Sequence, residues 1–391
     1  MLIEFPAISA RRATRREQRL AHDETRYMPS LGCLGCPQAQ ICGGLRIREP
    51  LFDCLDLCCG VPARCDRVCL RNPDYVDRVR EIESYSLDTI PRTAEFAYPA
   101  LPSSAPMLFH PSRRTGLAAA NAIALPLARM YQRRTGMPRY CSPEALRNAF
   151  RIRAGTPIIL SGTDHDASIE RWWGLGEAAR RATIRSLKDC SVALVTVPNY
   201  SLFSNVPRWD DLHAMKRIAL IHYEFLSEGL PAALHVNGRT DTDFLRWTEY
   251  IAARPEIKVI SYEFATGPGR AARIDLHVRW LCDLAAQVPH PLHLIVRGGI
   301  DKLPALRKRF HQVTFIDTAS FMKTMMRQKA TLQNGNRLAW SSTPTQRDEP
   351  LDALLAHNIA SVEAVLTSAP AMPPARNTAY ALRTLSHANF R

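Results

Sequence analysis

Short apolar runs recur along the later two-thirds of the chain, separated by longer stretches in which apolar residues return every three or four positions. The runs are Pro157–Ser161, Val192–Val197, Ala232–Val236, Lys258–Phe264, Leu292–Arg297 and Val313–Ile316. They are rich in β-branched residues and lack polar alternation, which predicts strands buried on both faces and so a parallel sheet. Intervening segments such as Asp241 to Ala253 and Ala271 to Ala286 have the length and periodicity of amphipathic helices. Six or more such units in 391 residues fit an α/β fold of the (β/α)8 TIM-type barrel class, of about 250 residues, plus extra modules. A doubly wound open sheet is the alternative.

Composition shifts divide the chain. Residues 1–26 form an arginine-rich basic arm. Residues 27–92 hold most of the cysteines. Residues 93–112, with Pro99, Pro102, Ser103, Ser104 and Pro106, read as a linker. The barrel is expected over 113–368, followed by a proline-rich tail, 369–391. No stretch reaches the roughly 20 apolar residues of a membrane span, and the opening is basic where a leader would be apolar. The expectation is a cytoplasmic protein that does not enter membranes.

Eight of the eleven cysteines lie between Cys33 and Cys69. They form two groups, Cys33, Cys36 and Cys42, then Cys54, Cys58, Cys59, Cys65 and Cys69. Such density in a cytosolic chain points to metal binding rather than disulfides. Thiolates suit soft centres, and short spacings bring several to one point, so an iron–sulfur (4Fe-4S) cluster or zinc is the expected cofactor. The stretch CLGCPQAQICGG resembles the cysteine pattern of auxiliary iron–sulfur domains in some radical enzymes. The loop by which many radical enzymes hold adenosylmethionine is not reproduced, because Val61 stands where its last cysteine would be. A structural or electron-transferring module is the reading that follows.

In a barrel the chemistry gathers at the carboxyl ends of strands. Those ends read Gly162-Thr163-Asp164-His165-Asp166, Pro198-Asn199-Tyr200, Asn237-Gly238-Arg239, Glu263 to Gly267, Gly298-Gly299, and Asp317 to Ser320. Glu263 ends an apolar strand and is a candidate for a base amide, or for a salt bridge to Arg239 or Arg297. Asn237, Arg239 and Asp241 suit either a ligand or a helix cap. Tyr200 and Phe203 suit stacking on a base or packing. His110, Arg113 and Arg114 suit phosphate or a solvated face. Asp317 suits a carboxylate nucleophile or the cap of the next helix.

Three of these stretches, in order, resemble segments of the tRNA-guanine transglycosylases and their DNA-modifying 7-deazaguanine relatives. They are Arg297-Gly298-Gly299-Ile300, like that family's Gly-Gly-Leu turn; FIDTASFMKTMMRQKA, Phe315 to Ala330; and LLAHNIASVE, Leu354 to Glu363. The resemblance implies base exchange at guanine in DNA or RNA, with a 7-deazaguanine-type base entering. Asp317 matches the nucleophile's position, and Gly298 and Gly299 match the turn at the base. Two departures stand out. The early Asp-Ser-Gly turn reads Leu160-Ser161-Gly162, leaving Asp164 or Asp166 as stand-ins for proton transfer. No cysteine lies between Lys329 and His357, so the family's zinc site is absent and His357 is expected to be an ordinary helix residue.

The formal charge of +14 and a pI near 9.5 favour a polyanionic partner, because neutralising phosphates releases condensed counterions. Arginine dominates the excess, and Arg133, Arg134, Arg139, Arg147, Arg151 and Arg153 form a basic stretch on which a backbone could lie. A noncatalytic nucleic-acid-binding subunit and an iron–sulfur redox enzyme on a barrel are the rival readings.

The cysteine spacings generate a direct expectation. Replacing Cys33 and Cys36 together with serine should lower the metal content and stability of anaerobically purified protein, because metal binding and folding are coupled. Equal metal content in parent and variant, by elemental and labile-sulfide analysis, would exclude these two as ligands.

Overall fold

The structure, a computed structural model, describes residues 28–29, 46–47, 81–83, 85–203, 208–266, 273–333, 337–346 and 348–368. The eight N-terminal cysteines, the basic arm and the tail lie outside these residues. Near the arm's end, Met28–Pro29 pairs antiparallel with Arg46–Ile47.

Eight parallel strands form the centre. They are β1 (Ser104–Pro106), β2 (Ile123–Pro126), β3 (Ile158–Ser161), β4 (Leu194–Thr196), β5 (Ala232–His235), β6 (Val259–Glu263), β7 (His293–Arg297) and β8 (Gln312–Asp317). Each pairs with its sequence neighbour from β2 to β8, and β8 pairs with β1. The bridge between Met107 and Ala124, with the Leu108 N–H donating to the Ala124 carbonyl at 2.9 Å, brings β1 to β2 and completes the ring. The fold is a (β/α)8 barrel, and all six expected strands are present.

Helices follow the strands in turn: α1 (Pro143–Phe150), α2 (Asp166–Gly174), α3 (Glu177–Asp189), α4 (Arg208–Ser227), α5 (Asp241–Ala252), α6 (Ile274–Gln287), α7 (Leu303–Arg307) and α8 (Ala319–Met325). Local sequence sets their starts. Ser142 accepts from the Ala145 N–H at 3.1 Å with Pro143 in the first turn of α1, and Thr240 and Asp243 form a capping box at α5. After α8 come the antiparallel hairpin β9 (Gln328–Gln333) and β10 (Arg337–Ser342), then α9 (Asp352–Ser368).

Two boundaries differ from expectation. Strand β1 lies inside the supposed linker, and Leu101, Ala105, Met107 and Leu108 are buried. Proline signals coil, but at a strand end it is tolerated because its missing N–H is not needed by the ladder. Residues just before position 92 also belong to the packed body. Ile82, Tyr85, Leu87 and Ile90 are buried, Arg92 grips Glu256 at 2.6 and 2.7 Å, and Lys216 Nζ donates to the Ser86 carbonyl and Thr89 hydroxyl, both at 2.5 Å.

The strands alternate strictly between two cores. Ala105, Ala124, Ile159, Leu194, Ala233, Val259, Ile295 and Ile316 fill the barrel axis. Ile123, Leu160, Val195, Leu234, Ile260, Val296 and Phe315 face the helices. Between α3 and α4, Arg180 and Glu224 form a buried two-pronged pair at 2.8 and 2.6 Å, with the guanidinium over the Trp173 ring. Asn358 of α9 is fully buried and ties down the hairpin. It accepts from the Ala330 N–H at 2.8 Å and donates to Thr324 Oγ1 and the Gln328 carbonyl, each at 2.9 Å.

Burial holds three histidines neutral. Desolvation lowers His222 and His293 to about 4 and His235 to about 3. In the unfolded chain an imidazole titrates near 6.5, so below that pH the unfolded state binds protons that the native state refuses. Stability should be complete above about pH 6.5 and should fall toward pH 4, by up to roughly 1.4 kcal/mol per pH unit for each histidine. Denaturant melts at pH 7.5, 6 and 5 check this; a flat profile would contradict the burial.

Candidate functional site at the barrel mouth

The carboxyl ends of the strands carry two polar arrangements, separated by which way the strand-end side chains point. On the axis side, Glu263 ends β6 and Arg297 ends β7, paired in register. Each has the parity of the residues that fill the axis. The Arg297 Nε–H donates to Glu263 Oε2 in a very short contact, while Glu263 Oε1 accepts from the Ala265 N–H at 2.6 Å. Thr163 adds a side-chain hydrogen bond. Burial nonetheless pushes the Glu263 carboxyl above its ordinary range, outweighing the Arg297 charge and these hydrogen bonds. Below this pair lie buried Ser161, Thr196, His235 and Ser261; the Ser261 hydroxyl is 3.3 Å from His235 Nδ1. Of the two salt-bridge partners expected for Glu263, the structure selects Arg297.

The second arrangement is a cleft of about 640 Å³ on the outer side of the β7 and β8 ends. Gly298, Gly299, Asp317 and Thr318 line it, with Arg307 of α7, Arg337 and Trp340 of β10, and the face of α9. The sequence-expected glycine turn and aspartate therefore meet in one place. Both glycines have positive φ, +78° and +66°, and a Cβ at Gly298 would stand 2.5 Å from the Ala265 nitrogen. Glycine is required there by the neighbouring strand end, whatever else approaches.

Asp317 shares the parity of Phe315, and both face the cleft rather than the axis. Its carboxylate is buried and fixed. Oδ1 accepts from the N–H groups of Ala319 at 2.8 Å and Ser320 at 3.2 Å, and Oδ2 accepts from the Ser320 hydroxyl. The acid thus caps α8. Burial raises its pKa from the usual carboxylate range, with the hydrogen bonds from Ser320 and Ala319 opposing.

Other expected site residues lie apart. Asp164 accepts from the His165 N–H at 2.7 Å and stands 3.7 Å from Arg133; Asp166 accepts from the Ser201 hydroxyl at 2.6 Å. Both follow β3, three strands around the ring from β8, and neither lines the Asp317 cleft. Asn237 links the ends of β4 and β5, donating to Asn199 Oδ1 at 2.8 Å and the Tyr200 carbonyl at 3.0 Å. The Arg239 N–H is bound to Asp243 at 2.7 Å as part of the α5 cap, and Asp241 opens that helix. Tyr200 is fully buried with the Arg217 guanidinium 4.0 Å from its ring centre, so it packs instead of offering a face to a base. Phe203 is exposed. The Arg114 side chain is buried, donating to the Phe150 carbonyl at 3.0 Å, and belongs to the scaffold. His357 Nε2 lies 2.8 Å from the Ala330 carbonyl, supporting the hairpin as an ordinary helix residue would.

Three cleft residues were not singled out in sequence: Arg307, Arg337 and Trp340. Nothing in one sequence ties a hairpin residue to strand ends twenty to about forty positions earlier. His110, next to β1, packs edge-on against Phe321 at 4.9 Å, and its buried Nδ1 has no partner among the described residues. No group of three or more His, Cys, Asp or Glu side chains among the described residues is placed to hold a metal ion, and the expected ligands lie outside them. No described helix is long and apolar enough to cross a membrane. What fold and site define is a (β/α)8 barrel protein with a polar mouth. No protein-family model and no curated protein matches the chain.

The packing role of Tyr200 is testable. Its hydroxyl is buried with no partner among the described residues. Tyr200→Phe removes that desolvated group and should raise stability by about 1 kcal/mol, read from denaturant midpoints. A loss of similar size would show that the hydroxyl makes a hydrogen bond.

Proposed function

We propose that the chain is a base-exchange transglycosylase acting on guanine in DNA or RNA, with Asp317 as nucleophile and a 7-deazaguanine-type base entering. The observation that carries this reading is the cleft itself. It brings Gly298, Gly299 and Asp317 together with an indole and two guanidinium groups. Its volume falls within the roughly 300–1,000 Å³ typical of small-molecule sites.

The chemistry follows from the groups present. An Asp317 oxygen attacks the sugar C1′, the C1′–N bond breaks, and the base leaves with the electron pair and takes up a proton. A nitrogen of the incoming base then attacks C1′, loses its proton, and releases the carboxylate. Fixed negative charge suits both steps because each passes through an oxocarbenium-like state. The hydrogen bonds from Ala319 and Ser320 hold the carboxylate in one orientation. Trp340 offers a ring face for the base, and Arg307 and Arg337 offer charge for the phosphates. Asp164 and Asp166 are outside this cleft, so the proton taken up by the leaving base comes from solvent water.

The same hydrogen bonds favour a second reading, in which Asp317 is a helix cap and the barrel is a noncatalytic nucleic-acid binder. One substitution separates the two. In Asp317→Asn the amide oxygen can still accept from Ala319 and Ser320, so melting should be nearly unchanged, whereas exchange of labelled guanine should fall by orders of magnitude. Parent activity should fall as pH drops through the raised Asp317 pKa, because the attacking form is ionised. Exchange at parental rate in the variant would remove Asp317 as nucleophile. No exchange by the parent on any DNA or RNA, with binding retained, would favour the binder.

Both readings require the partner to be nucleic acid. Affinity for DNA or RNA should then fall steeply with salt, as counterion release demands. Salt-insensitive binding, or none, would dismiss both.

A further inference from the structure

We propose that Cys141 and Cys190 form a reversible disulfide, made by hydrogen peroxide and undone by a dithiol. Neither residue lines the Asp317 cleft, so the inference stands apart from the transglycosylase reading.

Along the chain these cysteines are separated by α1, β3, α2 and α3; the fold brings them together. Cys141 lies just before Ser142, the cap of α1, and Cys190 closes the C-terminus of α3. From Gly136 to Tyr140 the chain is fastened to α3 at two points. Thr183 Oγ1 donates to the Gly136 carbonyl at 2.8 Å, and Cys190 Sγ donates to the Tyr140 carbonyl at 3.3 Å. The Tyr140 ring is itself packed edge-on against Phe150 at 5.9 Å. The carbonyl that Cys190 reaches belongs to the peptide bond joining Tyr140 to Cys141. In a planar trans peptide that oxygen is about 2.8 Å from the next Cα, so Cys190 Sγ stands at most about 6 Å from the Cys141 Cα. A cysteine side chain and an S–S bond of about 2 Å cover most of that upper limit.

Their surroundings divide the labour. Cys141 is exposed and open to a small oxidant, whereas Cys190 is buried. Burial pushes the Cys190 thiol up, and the charges of Asp189 and Cys141 add to the rise, so Cys190 rests as the protonated partner. Oxidation then proceeds in two balanced steps. The Cys141 thiol and one hydrogen peroxide give a sulfenic acid and water. The Cys190 sulfur attacks the sulfenic sulfur, the S–S bond forms, the S–O bond breaks, and the hydroxyl leaves as water with the Cys190 proton. Two thiols lose two electrons in all, and one peroxide becomes two waters. A dithiol reverses the bond by exchange through a mixed disulfide. The cross-link ties the connection between β2 and α1, which carries Arg133, Arg134 and Arg139, to the end of α3. It also closes a long loop in the unfolded chain, which favours the folded state.

The test treats the full chain with a small molar excess of hydrogen peroxide, then alkylates the remaining thiols and digests with trypsin. Cleavage after Arg139 and Arg147, and after Lys188 and Arg208, leaves Cys141 and Cys190 each alone in its own peptide. The expected product is those two peptides joined by a disulfide that dithiothreitol removes. The denaturation midpoint of the oxidised parent should exceed that of identically treated Cys141→Ser, which changes only an exposed side chain. In Cys190→Ser the hydroxyl can keep the bond to the Tyr140 carbonyl, and Cys141 should stop at the sulfenic acid, captured by dimedone. Absence of the joined pair, its formation only in denaturant, or a lower midpoint on linking would overturn the proposal. So would Cys141 joined instead to Cys282 or to one of the N-terminal cysteines, or dimedone on Cys190 in Cys141→Ser.

Discussion

A parallel sheet of eight strands keeps two raw edges unless its first and last members find each other. Here the meeting runs from Ser104 to Leu108: Ser104–Pro106 pair with β8, while Met107 bridges Ala124 of β2 and the Leu108 N–H donates to the Ala124 carbonyl. An unpaired edge would leave a row of backbone donors and acceptors exposed to water or to other chains. Closure also decides geometry: with both neighbours fixed, each strand has one face on the axis and one toward the helices. Which side chain meets which at the mouth depends on that constraint.

The constraint sorts the mouth into two environments. Arg297 and Glu263 share the axis face, while Asp317, one strand further on, shares the outer face with Phe315. Residues that look equivalent in a list of strand ends therefore have different company. The carboxylate on the axis is neutralised by a guanidinium. The carboxylate on the outer face is satisfied by amide and hydroxyl donors at the start of α8. Both carboxyls are pushed upward by burial; the Arg297 charge opposes the shift at Glu263, and hydrogen bonds from Ser320 and Ala319 oppose it at Asp317.

Much of the barrel was legible because buried parallel strands are plain apolar runs, and six of the eight were visible that way. The two that escaped, Ser104–Pro106 and Ile123–Pro126, are short and end in proline, so their strand character comes from neighbours and not from themselves. At the site, the nearness of Gly298 and Gly299 to Asp317 was legible because successive barrel strands are neighbours. The separation of Asp164 and Asp166 from Asp317 required knowing how many strands lie between. Tyr200 misled because an aromatic at a strand end looks the same whether it faces solvent or lies beneath Arg217.

The hairpin Gln328–Ser342 hangs from α9 through Asn358 and His357, and together hairpin and helix form one wall of the cleft. That wall is built after the last barrel strand has already been made. The hairpin takes no part in the ladder that holds the ring together, whereas α9 packs Leu355, Ile359, Val362 and Leu366 into the core and accepts from the Ser104 hydroxyl of β1 through Glu363 at 3.2 Å. The scaffold and the hairpin side of the cleft are thus free to diverge separately: drift in the hairpin could recast what the cleft admits while the eight strands stay as they are.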